Sequence, residues 1–166
     1  MKNENLMPWE VYTDGSCKTK YGHGFGGWAY IITRDGKMIK AGEGSAVNAT
    51  NQSMELMAAV EALKVVSKLK KDNEIVKIYS DSAYLVNCYL KGWWRGWTHN
   101  GWTNYHGEPV ANYELWWKLI PYFDMFAYTF IKVKGHSNNY WNNKCDEIAQ
   151  SAAEKARDTW RGLENE

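Results

Sequence analysis

The hydrophobic pattern changes its period near residue 50, and this change constrains the fold more than any other feature of the sequence. Three segments before that point have the composition and alternation of β-strands, and they contain the strings WEVYTD, WAYII and MIKAGEG. Asp35-Gly36 joins the second segment to the third and is typical of a hairpin turn. From about Ser53 to Lys70 the apolar residues recur at helical spacing. The chain is therefore predicted to begin with an antiparallel meander and to continue into a helix.

Two further strands alternate with helical segments in the rest of the chain. In order, the pattern predicts a strand at 74–80, a helix capped by residues 80–82, an irregular stretch at 91–112, a helix at 114–120 that stops at Pro121, a strand at 128–134, a polar loop at 135–143 and a helix at 144–157. Because helical crossovers return the chain in one direction, the last two strands should run parallel to the first. The predicted fold is α/β, with a five-stranded mixed sheet flanked by helices.

Length and composition are those of one soluble domain, with an ordered core at about 8–157 and a polar tail. The 166 residues are 45% hydrophobic and 23% charged, and the net charge of +1 neither favours nor excludes a nucleic-acid partner. The three cysteines form no CxxC pair, which makes a zinc site unexpected and favours free thiols in a reducing compartment. The sequence shows neither a signal peptide nor an apolar run of membrane-spanning length. We expect a cytoplasmic monomer without an obligatory protein partner.

One glycine motif resembles a cofactor signature but occurs in the wrong structural context. Gly22-x-Gly24-x-x-Gly27 matches the dinucleotide-binding fingerprint, which functions only where the glycines open a helix. Here they precede WAYII, whose aromatic and β-branched residues favour a strand. We therefore reject a dinucleotide site and interpret the glycines as positions where two strands pass closely.

Four carboxylates form the candidate chemical centre, although each has a plain structural explanation when taken alone. The candidates are Asp14, Glu55, Asp81 and Asp146. Asp14-Gly15 could be the turn that ends the first strand, Asp81 could cap a helix, and the other two fall in the expected first turns of helices. The helical wheel argues against this for Glu55, which lies on the core-facing stripe of its helix, where an uncompensated carboxylate costs several kcal/mol.

The predicted topology brings two of these carboxylates together. If the first and fourth strands are parallel neighbours, Asp14 and Asp81 follow strands about 4.8 Å apart at the same edge of the sheet. Such a pair repels unless a proton or a cation intervenes. Oxygen ligands without His or Cys favour Mg²⁺, with Mn²⁺ as a possible substitute. Two such ions are a known device for phosphodiester hydrolysis.

A histidine and an aromatic segment complete the candidate residues. His136 lies in a polar loop ten residues before Asp146, and an imidazole suits proton transfer near neutral pH, although a plain surface histidine is the alternative. Six of the ten tryptophans lie between residues 93 and 117 among cationic and polar residues. We expect Trp93 and Trp97 to contact substrate, whereas Trp94, Trp102 and Trp117 should pack in a small hydrophobic cluster.

Six strings in order resemble the type 1 ribonuclease H family over nearly the whole chain. They are TDGSC (13–17), TNQSMELMAAVEALK (50–64), YSDSAY (79–84), GWTHNGW (96–102), VKGHS (133–137) and NNKCDEIA (142–149). The resemblance implies an endonuclease that hydrolyses the RNA strand of an RNA–DNA hybrid with two metal ions, leaving 5′-phosphate and 3′-hydroxyl ends. It also implies that the four carboxylates hold the metals and that His136 assists.

The resemblance further assigns residues to the hybrid. Positions that contact the hybrid fall on Cys17, Asn51 and Gln52, those of a phosphate pocket on Thr50 and Asn112, and the aromatics of a DNA channel on Tyr84, Trp93 and Trp97. Three departures stand out: segment 91–112 carries few cations, Asn48 stands where an arginine is frequent, and Lys20 falls near a frequent asparagine. We therefore expect hybrid binding that is weaker or more sensitive to salt than in strongly basic relatives.

Other functions fit parts of the same pattern. A transposase or integrase core would share the fold but act on DNA, and usually has additional domains. A non-catalytic nucleic-acid-binding module would share the fold, although an intact acidic set repels phosphate. A protein-interaction module could use the tryptophan-rich surface.

Overall fold

Five strands and five helices make up the fold in the computed structural model, which describes residues 7–135 and 138–160. The elements are β1 (Trp9–Lys20), β2 (His23–Arg34), β3 (Lys37–Val47), α1 (Asn51–Leu69), β4 (Val76–Ser80), α2 (Ala83–Lys91), α3 (Trp93–His99), α4 (Tyr113–Phe123), β5 (Tyr128–Lys132) and α5 (Tyr140–Trp160). The strands form one sheet in the order β3-β2-β1-β4-β5.

The pairing directions confirm the predicted mixed sheet. β1 pairs antiparallel with β2, and β2 pairs antiparallel with β3. β4 lies parallel to β1 on its other side, and β5 lies parallel to β4. Within the described residues, none of the helices combines the length and the hydropathy that a membrane crossing requires.

The two faces of the sheet support cores of different size. The larger core packs α1, α2 and α4 against one face, where Val11, Ile32 and Ile78 are fully buried. The smaller core packs α5 against the other face through Tyr12 and Ile31. Neighbouring residues of one strand thus serve opposite cores, as the alternation of side chains along a strand requires.

The first strand is longer than the sequence predicted. Asp14-Gly15 is not a turn: β1 continues through both residues to Lys20, paired with β2 along its whole length. The reversal occurs at Tyr21-Gly22, where both residues have positive φ. Continuous backbone hydrogen bonding with β2 outweighs the local turn preference of Asp-Gly, so Asp14 lies within the sheet and not in a loop.

Helices in the second half of the chain also differ from the prediction. Residues 93–99 form α3 within the stretch expected to be irregular, and α4 continues past Pro121 to Phe123. Proline is tolerated there because only one hydrogen bond in the last turn is lost. The segment at 140–143, expected to be a loop, forms the start of α5, and the Asn139 side chain accepts a hydrogen bond from the Asn142 amide at 2.9 Å.

The start of α1 is fixed by a capping box. The Thr50 hydroxyl accepts from the Ser53 amide at 3.0 Å, and the Ser53 hydroxyl accepts from the Thr50 amide at 2.9 Å. The helix therefore begins at Asn51, two residues before the predicted start. Consequently Glu55 lies in the second turn, as Asp146 does in α5, and neither acid is explained by a first-turn position.

Gly27 allows α5 to contact the sheet with its backbone. A Cβ at this position would lie 2.1 Å from the Ala149 carbonyl oxygen and 2.5 Å from the Ala153 amide nitrogen. The expected role of the glycines, close passage of two strands, is therefore wrong for Gly27, where a helix approaches a strand. α5 can lie this close only because position 27 has no side chain.

A partly buried ion pair ties the carboxyl end of β2 to the loop before β4. The Arg34 Nη2 donates to the Glu74 carboxylate at 2.6 Å, and Glu74 is only 4% exposed. Glu74 also accepts from the Trp9 indole at 3.0 Å and from the Lys71 amide at 2.8 Å. The hydrogen bond from Lys71, with those from Trp9 and Arg34, lowers the pKa of Glu74 to about 2 against the opposing effect of burial.

We predict that Glu74→Gln lowers the free energy of unfolding at pH 7 by about 2 kcal/mol. The folded-state pKa of Glu74 is about 2 and its ordinary value is 4.5, so the stabilisation is complete above pH 4.5 and is lost as the pH falls toward 2. Urea unfolding of both proteins between pH 7 and pH 2.5 should show their difference shrinking on acidification.

The matched control is Glu61→Gln, which removes a partly exposed pair with Lys64 at 2.9 Å. An exposed pair of this kind contributes less than about 0.5 kcal/mol. A Glu74→Gln variant as stable as the control at pH 7 would contradict a stabilising role for the buried pair.

Candidate active site

Three of the predicted carboxylates converge at the carboxyl edge of the parallel strands. Asp14, Glu55 and Asp81 each place one oxygen within 4.8 Å of the others. The pairing of β1 with β4 causes this, because Thr13 lies opposite Ser80 and the two aspartates follow in register. The Ser82 hydroxyl, which accepts from the Leu85 amide, caps α2. Asp81 therefore does not supply this cap.

Gly15 brings the third carboxylate into the group. A Cβ at Gly15 would lie 2.4 Å from the Glu55 amide nitrogen and 2.5 Å from the Met54 carbonyl carbon. The backbone of α1 thus rests directly against β1 beside Asp14. The residue that the sequence marks as part of a turn is needed for the close approach of a helix.

Two oxygens of this cluster have no hydrogen-bond donor. The Asp14 Oδ2 and the Glu55 Oε2 are both buried, and neither has a hydrogen-bond partner among the described residues. Asp14 as a whole is only 2% exposed. The other oxygen of Asp14 accepts from the Gly15 amide at 2.8 Å. Buried acceptors without donors are costly and therefore rare in folded proteins. A divalent cation among these carboxylates would satisfy both oxygens, so the residues present fit a metal site.

Electrostatic repulsion within the cluster agrees with this interpretation. The pKa of Asp14 is raised to about 8. Burial is the largest cause of this increase, and the charges of Asp81 and Asp146 add to it. Burial and the charges of Asp14 and Asp81 raise the pKa of Glu55 well above its ordinary value. Without a cation the cluster cannot be fully ionised near neutral pH at low cost.

The fourth predicted carboxylate, Asp146, lies beside this group but is not among the three residues whose oxygens lie within 4.8 Å of one another. Asp146 is close enough to raise the pKa of Asp14, and its Oδ2 accepts from the Gln150 amide at 2.9 Å. Its neighbour Cys145 donates its thiol proton to the Tyr12 carbonyl at 3.2 Å, which anchors this turn of α5 on β1. His136 lies outside the described residues.

A cavity between the starts of α1, α2 and α4 gathers four of the residues predicted to bind substrate. It has a volume of about 360 Å³ and is lined by Thr50, Gln52, Tyr84, Ala111 and Asn112. Two other predicted residues flank the start of α1: Asn51 is exposed, and Cys17 donates its thiol proton to the Ala49 carbonyl at 3.3 Å. Residues from α1, α2 and the start of α4 thus form one concave surface.

The tryptophans divide differently from the prediction. Trp94 is 6% exposed and packs as expected, whereas Trp93 is 41% exposed and lies beside Lys91, so its predicted contact with substrate stays a prediction. Trp97 and Trp102 are half-buried and pack against each other. The prediction for Trp117 was wrong, because this side chain is 59% exposed.

Trp116 was missed by sequence reasoning. It is fully buried, and its indole nitrogen donates to the Tyr84 hydroxyl at 3.1 Å. Helical spacing was the available signal, because Trp116 shares the buried face of α4 with Leu119 and Phe123. The hydroxyl of a cavity residue is therefore held by a core residue.

We predict that Asp14→Asn stabilises the metal-free protein, and does so more at pH 8 than at pH 5. The folded-state pKa of about 8 lies above the ordinary 3.8, so the ionisation of Asp14 opposes folding as the pH rises from about 4 to 8. Asparagine cannot ionise, and the gain should be roughly 1–3 kcal/mol at pH 8. Thermal unfolding in EDTA at both pH values measures it.

Two controls accompany this prediction. Asp35→Asn, in an exposed turn of positive φ, should leave the pH dependence unchanged. Millimolar Mg²⁺ should raise the melting temperature of the wild type more than that of Asp14→Asn. Equal stability of Asp14→Asn and wild type in EDTA at pH 8 would show that the cluster carries no electrostatic strain.

Comparisons with known proteins agree with the fold. The family model described as RNase H matches residues 7–154. A ribonuclease H of Syntrophomonas wolfei is 43% identical over 142 residues, which cover 86% of this chain and 93% of that protein. This degree of identity over nearly the full length of both chains indicates a common family.

Solved structures show the same fold at lower identity. A type 1 RNase H with the type 2 active-site motif superimposes with a TM-score of 0.75 at 24% identity, covering 91% of this chain and 74% of that one. An RNase H1 solved in complex with an RNA/DNA hybrid gives a TM-score of 0.65 at 21% identity, covering 89% and 98%. The topology, the carboxylate cluster and the family match lead to one conclusion: the chain belongs to the ribonuclease H family, as its type 1 motifs predicted.

Proposed function

We propose that the protein is an endonuclease that hydrolyses the RNA strand of RNA–DNA hybrids, leaving 5′-phosphate and 3′-hydroxyl ends. The observation that carries the proposal is the buried group of Asp14, Glu55 and Asp81, in which two oxygens lack any donor. Family membership supports the same reaction. In this proposal the protein acts in the cytoplasm as a monomer.

The four carboxylates would hold two divalent cations, Mg²⁺ or its substitute Mn²⁺. Oxygen donors of this charge and number suit these hard ions. When bound, such ions activate a water molecule and stabilise the leaving oxygen of a phosphodiester. Asp14 and Glu55 offer the oxygens that lack donors, Asp81 completes the group, and Asp146 borders it from α5.

The surrounding side chains position the reacting groups. The Gly15 amide holds one oxygen of Asp14 at 2.8 Å, which leaves the other oxygen directed at the cluster. The contact of α1 with β1 at Gly15 fixes Glu55 in the same way. His136, ten residues before Asp146, is assigned a supporting role in proton transfer or product release.

The substrate would lie across the start of α1 and the cavity beside it. Cys17, Asn51 and Gln52 would contact the hybrid, where a 2′-hydroxyl distinguishes RNA from DNA. Thr50 and Asn112 would bind a backbone phosphate. Tyr84, Trp93 and Trp97 would line the path of the DNA strand. Their grouping around one cavity and on α3 supports this assignment.

The deciding experiment incubates the protein with labelled RNA–DNA hybrid, double-stranded DNA and double-stranded RNA, with and without Mg²⁺. We expect metal-dependent loss of the RNA strand from the hybrid alone. Binding without cleavage would favour a non-catalytic module, and cleavage of double-stranded DNA would favour another polynucleotidyl transferase of the same fold.

We predict that Asp14→Asn reduces hybrid cleavage at least about 1,000-fold, because the carboxylate with the fully buried oxygen is lost. Circular dichroism should show an intact fold. Asp35→Asn, which replaces an exposed turn residue, is the matched control and should retain full activity. A fully active Asp14→Asn enzyme would refute the site assignment.

A further inference from the structure

The cavity between the starts of α1, α2 and α4 is built without charge. None of its five lining residues, Thr50, Gln52, Tyr84, Ala111 and Asn112, carries a cation or an anion. Asn48, which precedes the start of α1, has its side-chain oxygen 3.1 Å from the His23 Nδ1. Any ligand that this cavity binds must therefore be recognised by neutral groups.

The Tyr84 hydroxyl has a restricted set of hydrogen-bond roles. It accepts from the Trp116 indole nitrogen at 3.1 Å and, over a longer distance of 3.4 Å, from the Asn112 amide. A phenolic oxygen has one proton to donate besides its acceptor capacity. Within residues 7–135 and 138–160 the Tyr84 hydroxyl accepts these two hydrogen bonds and donates none. Because Tyr84 lines the cavity, the proton is available there.

Trp116 holds this arrangement from the core. Its side chain is fully buried, and Tyr84 supplies the acceptor for its indole N–H. The ring centroids of Tyr84 and Trp116 are 5.2 Å apart, and Trp97 packs on Trp116 at 5.6 Å. The buried indole cannot turn toward solvent, so its N–H occupies one acceptor position of the Tyr84 oxygen. The hydroxyl proton of Tyr84 must therefore point in another direction.

A second hydroxyl in the cavity has the same polarity. The Thr50 oxygen accepts from the Ser53 amide at 3.0 Å as part of the capping box of α1. Within the described residues the Thr50 hydroxyl donates no hydrogen bond. The cavity thus presents hydroxyl protons from the N-cap of α1 and from α2, so a ligand that supplies acceptors fits it. Phosphodiester oxygens are strong acceptors and form short, strong hydrogen bonds to neutral donors.

We propose that the Tyr84 hydroxyl donates a hydrogen bond to a backbone phosphate oxygen of the bound hybrid, an inference that rests on the proposed hybrid substrate. Trp116 is the positioning residue that directs this proton into the cavity. The contact differs from stacking of the tyrosine ring, because it depends on the hydroxyl and on the indole behind it.

A neutral donor has a diagnostic salt dependence. Lysine and arginine contacts to phosphate release counterions, so each makes affinity fall more steeply with salt. The Tyr84 hydroxyl carries no charge and releases none. Removing it should weaken binding by the same factor at every salt concentration.

The experiment measures binding of a fluorescent RNA–DNA hybrid by anisotropy in EDTA, from 50 to 300 mM KCl, for wild type and Tyr84→Phe. We expect affinity to fall about tenfold with an unchanged salt slope. The matched control is Tyr89→Phe, on the same helix, whose ring packs against Phe123 and Phe130. Control affinity should equal that of the wild type. Unchanged affinity in Tyr84→Phe, or a reduced salt slope, overturns the proposal.

Hybrids with a single methylphosphonate locate the contact and exclude a purely structural effect. Wild type should lose affinity at several phosphates, and at one of them Tyr84→Phe should lose nothing further. Additive losses at every phosphate would overturn the proposal, because a merely weakened fold would give that result. This measurement needs only Tyr84→Phe, which keeps the aromatic ring.

Trp116→Phe tests the positioning role. In a folded variant, the loss of the indole N–H should weaken binding, and the double variant with Tyr84→Phe should be no weaker than Tyr84→Phe alone. Independent, additive effects would remove Trp116 from the proposal.

Cleavage in Mg²⁺ distinguishes failure of this inference from failure of the proposed function. A wild type that cuts hybrid while Tyr84→Phe binds normally refutes only this inference, whereas a wild type that neither binds nor cuts refutes both.

Discussion

The parallel pairing of β1 with β4 is the constraint on which the rest of the structure depends. Its register places Thr13 opposite Ser80, so the next residue of each chain segment, Asp14 and Asp81, emerges at one edge. The flanking elements are then fitted to this edge: α1 touches β1 at Gly15, and α5 is anchored at Tyr12. The chemical centre is thus a consequence of strand order.

The site opposes the stability of the protein that contains it. Burial and like charge raise the pKa of Asp14 to about 8 and that of Glu55 well above its usual range. The large core around α1 and the buried pair of Arg34 with Glu74 offset this cost elsewhere. Electrostatic repulsion among the carboxylates at one edge of the sheet is thus tolerated because the interior of the protein is well packed.

Sequence reasoning reached the fold and the cluster because both depend on periodicity and order. Glu55 was supported by its wheel position, and Asp14 and Asp81 by the strand order, neither of which needs side-chain geometry, whereas Asp146 was supported by the family resemblance. The extent of β1 was missed because Asp14-Gly15 has local turn chemistry that long-range pairing with β2 overrides. Trp116 and Trp117 are adjacent aromatics, and only the exact rotation of α4, set by tertiary packing, decides which one is buried.

The contact between Gly27 and α5 has a consequence for the preceding turn of the same helix. At Gly27 the distance between α5 and the sheet is set by main-chain atoms, because the backbone of Ala149 and Ala153 lies directly against this glycine. Asp146 lies one turn from Ala149, so its height above the sheet is set by a rigid spacer and not by adjustable rotamers. A residue without a side chain therefore governs how accurately a carboxylate is delivered to the edge of the sheet.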